Sequence, residues 1–421
     1  MVFSVLLLGM TFQTLGCSTS VEERTEESQS MISIPMILTV DPSSGKKNQE
    51  EMVNAFNQTY QGTYRVEAEY VMETEEEYRT NLKRLNVTGK LPAVITDIRL
   101  LPSFYQMMIK EGRIEDLTPY LETNPEWKQM IEPAVLESCR EKDGNIYLGP
   151  IGSAAFSCSG VYWNETLFRE AGIKRFPKTW KEFWKCCDKL QAHGITPLAL
   201  HTEGTGWAPM LFATAELTRT GEGAEFMKQL YPGSYRNDSG LHMAKTLKRL
   251  FQYTSEDALH ADFDVAYSNF VSGQAAMLPN GYWMMEQFPE YFISNVRFST
   301  FPGNELISSP ETFGWAVVSD YSDEVKRGAV EFLKFRTRYD LREKQRVFDA
   351  AVESNSRVLQ DYINAFNGNP VLVPNYQVKW NSILQEETLG ECLPELVRGK
   401  MTPEEFVLRE DESILQYQKE Q

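Results

Sequence analysis

Residues 161–200 read VYWNETLFREAGIKRFPKTWKEFWKCCDKLQAHGITPLAL, and their order of patterns decides the fold class. The opening β-branched and aromatic residues close a strand over 160–163. Helical spacing then takes over across 165–171 and again across 179–192. Thr179 followed by Glu182 matches the Ser/Thr-x-x-Glu capping box, in which hydroxyl and carboxylate satisfy the free backbone donors of a helix start. Gly194 ends that helix, and 195–200 returns to strand character. Strands that alternate with helices imply an α/β architecture with largely parallel sheets.

The same alternation continues outward. On the N-terminal side a strand over 32–40 leads through Asp41, Pro42, Ser43, Ser44 and Gly45 into a helix over 49–60. A strand over 64–70, a charged helix over 75–85 and a buried strand over 93–95 follow. Residues 145–158, NIYLGPIGSAAFSC, interrupt β-type residues with Gly and Pro, as a crossover between two domains would. On the C-terminal side the spacing predicts helices over 208–218, 224–230, 241–251 and 264–272, then a strand over 314–319. Separate helices over 324–336 and 340–350 come next, with two more at the end.

The chain has 421 residues, more than one hydrophobic core usually organises, so two domains are expected. Lys and Arg total 42 against 59 Asp and Glu, a net charge of -17, which argues against nucleic acid as a partner. An uncharged run over 1–16 is too short to span a bilayer and reads as an export signal, 1–16. It ends in Leu15-Gly16-Cys17, which resembles the bacterial lipobox, in which the cysteine takes a lipid. No Lys or Arg precedes the run, which departs from that pattern. Residues 17–30 are polar and acidic and read as a flexible tether. The six cysteines show no metal-ligand spacing, and with Cys17 lipidated the remaining five cannot all pair.

Several segments, in this order, resemble family 1 extracellular solute-binding proteins of bacterial ABC importers, the class of maltodextrin-binding and other oligosaccharide-binding lipoproteins. Residues 91–121, LPAVITDIRLLPSFYQMMIKEGRIEDLTPYL, resemble the family's buried strand, helix and Asp-Leu-Thr-Pro-Tyr-Leu element. Tyr147-Leu148-Gly149-Pro150 resembles its first interdomain strand, and 161–200 its most recognisable run. Residues 269–283, NFVSGQAAMLPNGYW, are similar to its Phe-x-x-Gly-x-Ala-Ala-Met and Gly-x-Trp elements. Residues 313–335 resemble the return strand with its helix, and 398–405, RGKMTPEE, the closing segment.

The resemblance implies a two-lobe fold of the periplasmic-binding-protein type II kind, with three crossovers. Lobe 1 would comprise 31–152 and 319–366, and lobe 2 would comprise 153–318 and 367–421. It implies a carbohydrate, an oligosaccharide, held in the interlobe cleft and passed to the transmembrane subunits of an ABC permease. The protein would be a monomer outside the cell, anchored to the outer face of the cytoplasmic membrane through lipid on Cys17, with no cofactor.

Candidate ligand residues follow partly from position in that family and partly from chemistry. Trp283, after Asn280, Gly281 and Tyr282, follows a glycine that permits close approach and offers a flat face for a sugar ring. Trp207 in a Gly-rich loop either faces the cleft or covers the lobe, and Trp315 on the return strand either stacks on ligand or packs. Trp380 is a cleft candidate by family position. Asp97 and Arg99 alternate on one face of an extended segment and either bind one polar ligand or form a surface ion pair. Asp41 either accepts a sugar hydroxyl or caps the following helix. The family's aromatics after the first and third strands are replaced here by polar residues.

For catalysis, no Gly-x-Ser-x-Gly, no His-Glu-x-x-His and no complete phosphate loop occurs in the chain. The expectation is a binding protein and not an enzyme. A glycoside hydrolase that pairs two distant carboxylates leaves no local motif and stands as the alternative.

Overall fold

The computed structural model describes residues 31–39, 47–71, 75–96, 102–141, 143–149, 158–203, 206–227, 233–308, 315–353, 355–374 and 389–419. Two sheets organise them. In the first, β1 (Ile32–Thr39) lies between β2 (Tyr64–Val71) and β3 (Val94–Thr96), both parallel to it. β9 (Trp315–Val317) adds antiparallel to β3, pairing Thr96 with Trp315. Ile34, Met36 and Leu38 of β1 are buried, and they share one core cluster with Phe56, Val66, Phe332 and Phe335 from neighbouring elements. Ile37, on the other face, belongs to a second cluster. Burial of both faces accounts for the nearly continuous apolar run of this strand.

The second sheet has the order β10-β8-β4-β6-β5. β4 (Cys158–Asn164) is central and buried throughout, antiparallel to both β6 (Ala275–Gly281) and β8 (Glu305–Ser308). β5 (Thr196–Leu198) pairs parallel with β6, β7 (Val296–Ser299) pairs with β4, and β10 (Val371–Pro374) pairs with β8. Helix Trp180–Ala192 turns Trp180, Phe183, Trp184, Cys187 and Leu190 onto this sheet's core, which helix Trp207–Thr218 also enters. Its start carries the expected capping box: Thr179 Oγ1 accepts from Glu182 N at 3.2 Å, and the Glu182 carboxylate accepts from Lys178 N at 2.9 Å.

The chain passes from the first sheet to the second between Gly149 and Cys158 and returns between Ser308 and Trp315. Gly149 donates to the Trp315 carbonyl at 2.9 Å, whereas Cys158 pairs with Ser308 on the other sheet. After the return, Trp315 pairs with Thr96 in the first sheet. Helix Arg357–Asn367 packs on β7 of the second sheet. Arg297 of β7 reaches Asp361 at 2.5 and 2.8 Å, and Phe298 meets Tyr362 at 5.0 Å.

Two expected helices are one, Asp323–Glu353. Neither Gly nor Pro interrupts residues 337–339. Thr337 is buried, donates back to the Leu333 carbonyl at 3.1 Å and accepts from Trp127 Nε1 at 2.9 Å, so the junction lies in the core. β6 carries Pro279 within the strand, a position sequence patterning would exclude from a ladder. No helix among the described residues is long and apolar enough to cross a membrane.

Candidate functional site

β6 delivers its last residues, Asn280 and Gly281, to the end of the second sheet from which the crossovers leave. Two hydrogen bonds pin that end. Tyr162 on β4 donates its buried hydroxyl to the Gly281 carbonyl at 2.8 Å, and Asn280 Oδ1 accepts from Gly281 N at 2.8 Å. Burial pushes the Tyr162 hydroxyl well above the usual phenol range, so it stays a donor. The chain then turns into the 3-10 helix Tyr282–Gln287, whose second residue is Trp283.

A side chain at 281 would collide with the Trp283 ring, whose six-membered part occupies the Cβ position there. Glycine is needed here for that close approach, since its backbone is extended at φ -98°. Trp283 is 40 % exposed. Trp207, the first residue of helix Trp207–Thr218, sits with its ring centroid 6.0 Å from that of Trp283, the planes tilted by 44°. Two indoles that lie 76 positions apart in sequence (283 minus 207) thus form one aromatic corner, one of them facing solvent.

The other expected residues are placed differently. Asn280 is buried and its side-chain oxygen holds the turn. Tyr282 packs on Tyr362, with ring centroids 5.0 Å apart. Trp315 is only 4 % exposed, with Phe332 at 5.3 Å and the Arg336 guanidinium 4.1 Å over its ring, so its accessible face is spent on packing. Asp41, Asp97, Arg99, Trp380 and Cys17 lie outside the described residues.

Sequence reasoning missed a set of buried polar groups at this same end of the second sheet. Ser159 on β4 and Ser308 on β8 are buried with hydroxyls that have no partner. Just beyond β5, His201 and Thr202 are buried, with His201 Nδ1 and Thr202 Oγ1 likewise unpartnered. Burial pushes the His201 imidazole down to about 4, so it is neutral at neutral pH. The signal in the sequence was faint: polar residues at the tips of apolar strands. Chemically the corner offers flat apolar faces and neutral hydrogen-bonding groups. Among the described residues no group of three or more His, Cys, Asp or Glu is placed to hold a metal ion.

Comparison with known proteins places the chain. The family profile of bacterial extracellular solute-binding proteins matches residues 51–344. The multiple sugar-binding protein of Streptococcus mutans serotype c is 26% identical over 246 residues, which cover 55% of this chain and 53% of that protein. A probable sugar-binding periplasmic protein of Mesorhizobium japonicum is 25% identical over 166 residues, 38% of each chain. The chain thus spans about half or less of the length of these curated relatives. Among solved structures, a chitin oligosaccharide binding protein superposes with a TM-score of 0.69 at 22% identity, covering 92% of this chain and 99% of that one. A family 1 extracellular solute-binding protein from Bifidobacterium longum subsp. infantis gives 0.69 at 16% identity, covering 92% and 100%. At these identities the structures establish the fold, the two-domain solute-binding architecture.

Proposed function

This chain belongs to the bacterial extracellular solute-binding proteins, and we propose that it captures a carbohydrate, an oligosaccharide, between its lobes and delivers it to the permease of an ABC importer. The observation that carries this reading is the Trp207–Trp283 corner at the crossover end of the second sheet. An indole face covers the C–H side of a pyranose, while neighbouring hydroxyls and amides take its hydroxyl groups. The sugar-binding names of its relatives support the same reading. Asp41, Asp97 and Arg99 would approach the ligand from the first lobe and Trp380 from the second. The protein returns its ligand unchanged, so sugar release on incubation would favour the hydrolase alternative.

Lipid on Cys17 would tether the protein to the outer face of the cytoplasmic membrane, and Cys17→Ala is then expected to leave the membrane fraction with its fold intact. Retention of that variant would refute the anchor.

The ligand is found by a thermal-shift screen of mono- and oligosaccharides, because a ligand that binds the native state raises Tm by mass action. Calorimetry then compares Trp283→Ala with Tyr291→Ala, a change at an aromatic that is 75 % exposed. Loss of an anchoring indole is expected to cost about 2 kcal/mol or more in binding, and loss of the exposed tyrosine little. Equal affinities would remove Trp283 from the site.

A further inference from the structure

Strand register sets Ser159 directly opposite Gly281 across the β4–β6 ladder. Directly opposed residues project from the same face of a sheet, so Ser159 points to the side on which a residue 281 side chain would lie. That space is filled by the six-membered ring of Trp283. On its other flank Ser159 pairs with Ile307, which is buried and apolar. The hydroxyl is fully buried and has no partner. A hydroxyl in this position is a cost to the fold that any small apolar residue would avoid.

The group that covers it is the less anchored one. Trp283 is 40 % exposed, is the second residue of a single 3-10 segment and leans on Trp207 alone among the ring contacts found for it in the described residues. Ser159, by contrast, sits in a strand paired on both sides. We propose that Ser159 is a ligand-contacting residue hidden beneath the Trp283 indole, and that the indole swings off Gly281 when a sugar ring enters. The sugar then stacks on the displaced indole, and one of its hydroxyls pairs with Ser159 Oγ. This rests on the carbohydrate reading of the same corner and adds to it a concealed, neutral hydrogen-bonding position that selects for a correctly placed ring hydroxyl.

Two measurements test it. With the best saccharide from the screen, calorimetry on Ser159→Ala is expected to show affinity about tenfold weaker, as for loss of one neutral hydrogen bond, with Tm unchanged or raised because an unpartnered hydroxyl is gone. Affinity equal to wild type makes Ser159 a structural residue and overturns the contact. Independently of any ligand, the protein is labelled with 5-fluorotryptophan, and the Trp283 resonance is assigned by its loss in Trp283→Phe. Gly281→Ala puts a methyl where the ring lies and is expected to shift that resonance in the free protein, toward the position ligand gives in wild type. A resonance that stays put in Gly281→Ala, or on ligand binding, overturns the displacement. Should wild type bind no saccharide, the carbohydrate reading falls together with the Ser159 contact, while the Gly281→Ala spectrum still decides whether the indole moves.

Discussion

Glu410 occupies the middle of an apolar helical stripe, with Phe406 and Val407 one turn before it and Ile414 one turn after, all buried. Neither of its carboxylate oxygens has a partner, and burial pushes its pKa well above the usual range, with the neighbouring Asp411 charge adding to the shift. The fold therefore holds this carboxyl protonated. In the unfolded chain a glutamate releases its proton at about pH 4.3. As pH rises above that value the unfolded state loses a proton that the folded state keeps, so the unfolded state binds fewer protons and stability falls. The fall continues until the folded pKa is passed. Glu410→Gln removes this slope, and thermal denaturation is expected to show a larger gain in Tm over wild type at pH 8 than at pH 5. An equal gain at both values would mean that Glu410 is charged in the fold.

At the level of single elements, local chemistry and tertiary packing divide the work. The start of helix Trp180–Ala192 is written locally: Thr179 and Glu182 satisfy the free donors, and the buried aromatics sit at helical spacing behind them. Thr179→Ala is expected to lower unfolding free energy by about 1 kcal/mol in urea denaturation, with Thr179→Ser near wild type. A loss equal in both variants would place the effect in packing of the methyl group. Helix Asp323–Glu353 shows the opposite case at its middle, where Thr337 bonds to Trp127, more than two hundred positions earlier in the chain. A local pattern gives no hint of that partner.

Over the whole molecule, a charged clamp joins segments far apart in the chain. Arg297 bonds to Asp361 and, at 2.8 Å, to Glu165, which also takes two 2.8 Å bonds from Arg357; these bonds hold the Glu165 carboxyl below its usual range. The clamp fixes helix Arg357–Asn367 to β7 of the second sheet. Ligand held by both lobes would favour a closed arrangement in proportion to its extra contacts there. Small-angle scattering is expected to show a smaller radius of gyration at saturating saccharide. An unchanged radius in a protein shown to bind would argue against the hinge.

The α/β alternation, the capping box and the two-domain size were legible in the sequence because each depends on residues within a few positions of one another. Trp283 could be singled out for the same reason, since a glycine stands two residues before it in the chain. Its partnership with Trp207 could not, nor could the burial of Trp315 beneath Phe332 and Arg336, because contacts between distant segments exist only once the sheets have formed. The pairing of Trp315 with Thr96 in the first sheet is a contact of the same kind. Ser159 shows the limit most plainly: its identity is local, but the register that sets it opposite Gly281 and the ring that covers that face were decided by the pairing of β4 with β6, a long-range choice made by burial and backbone hydrogen bonding together.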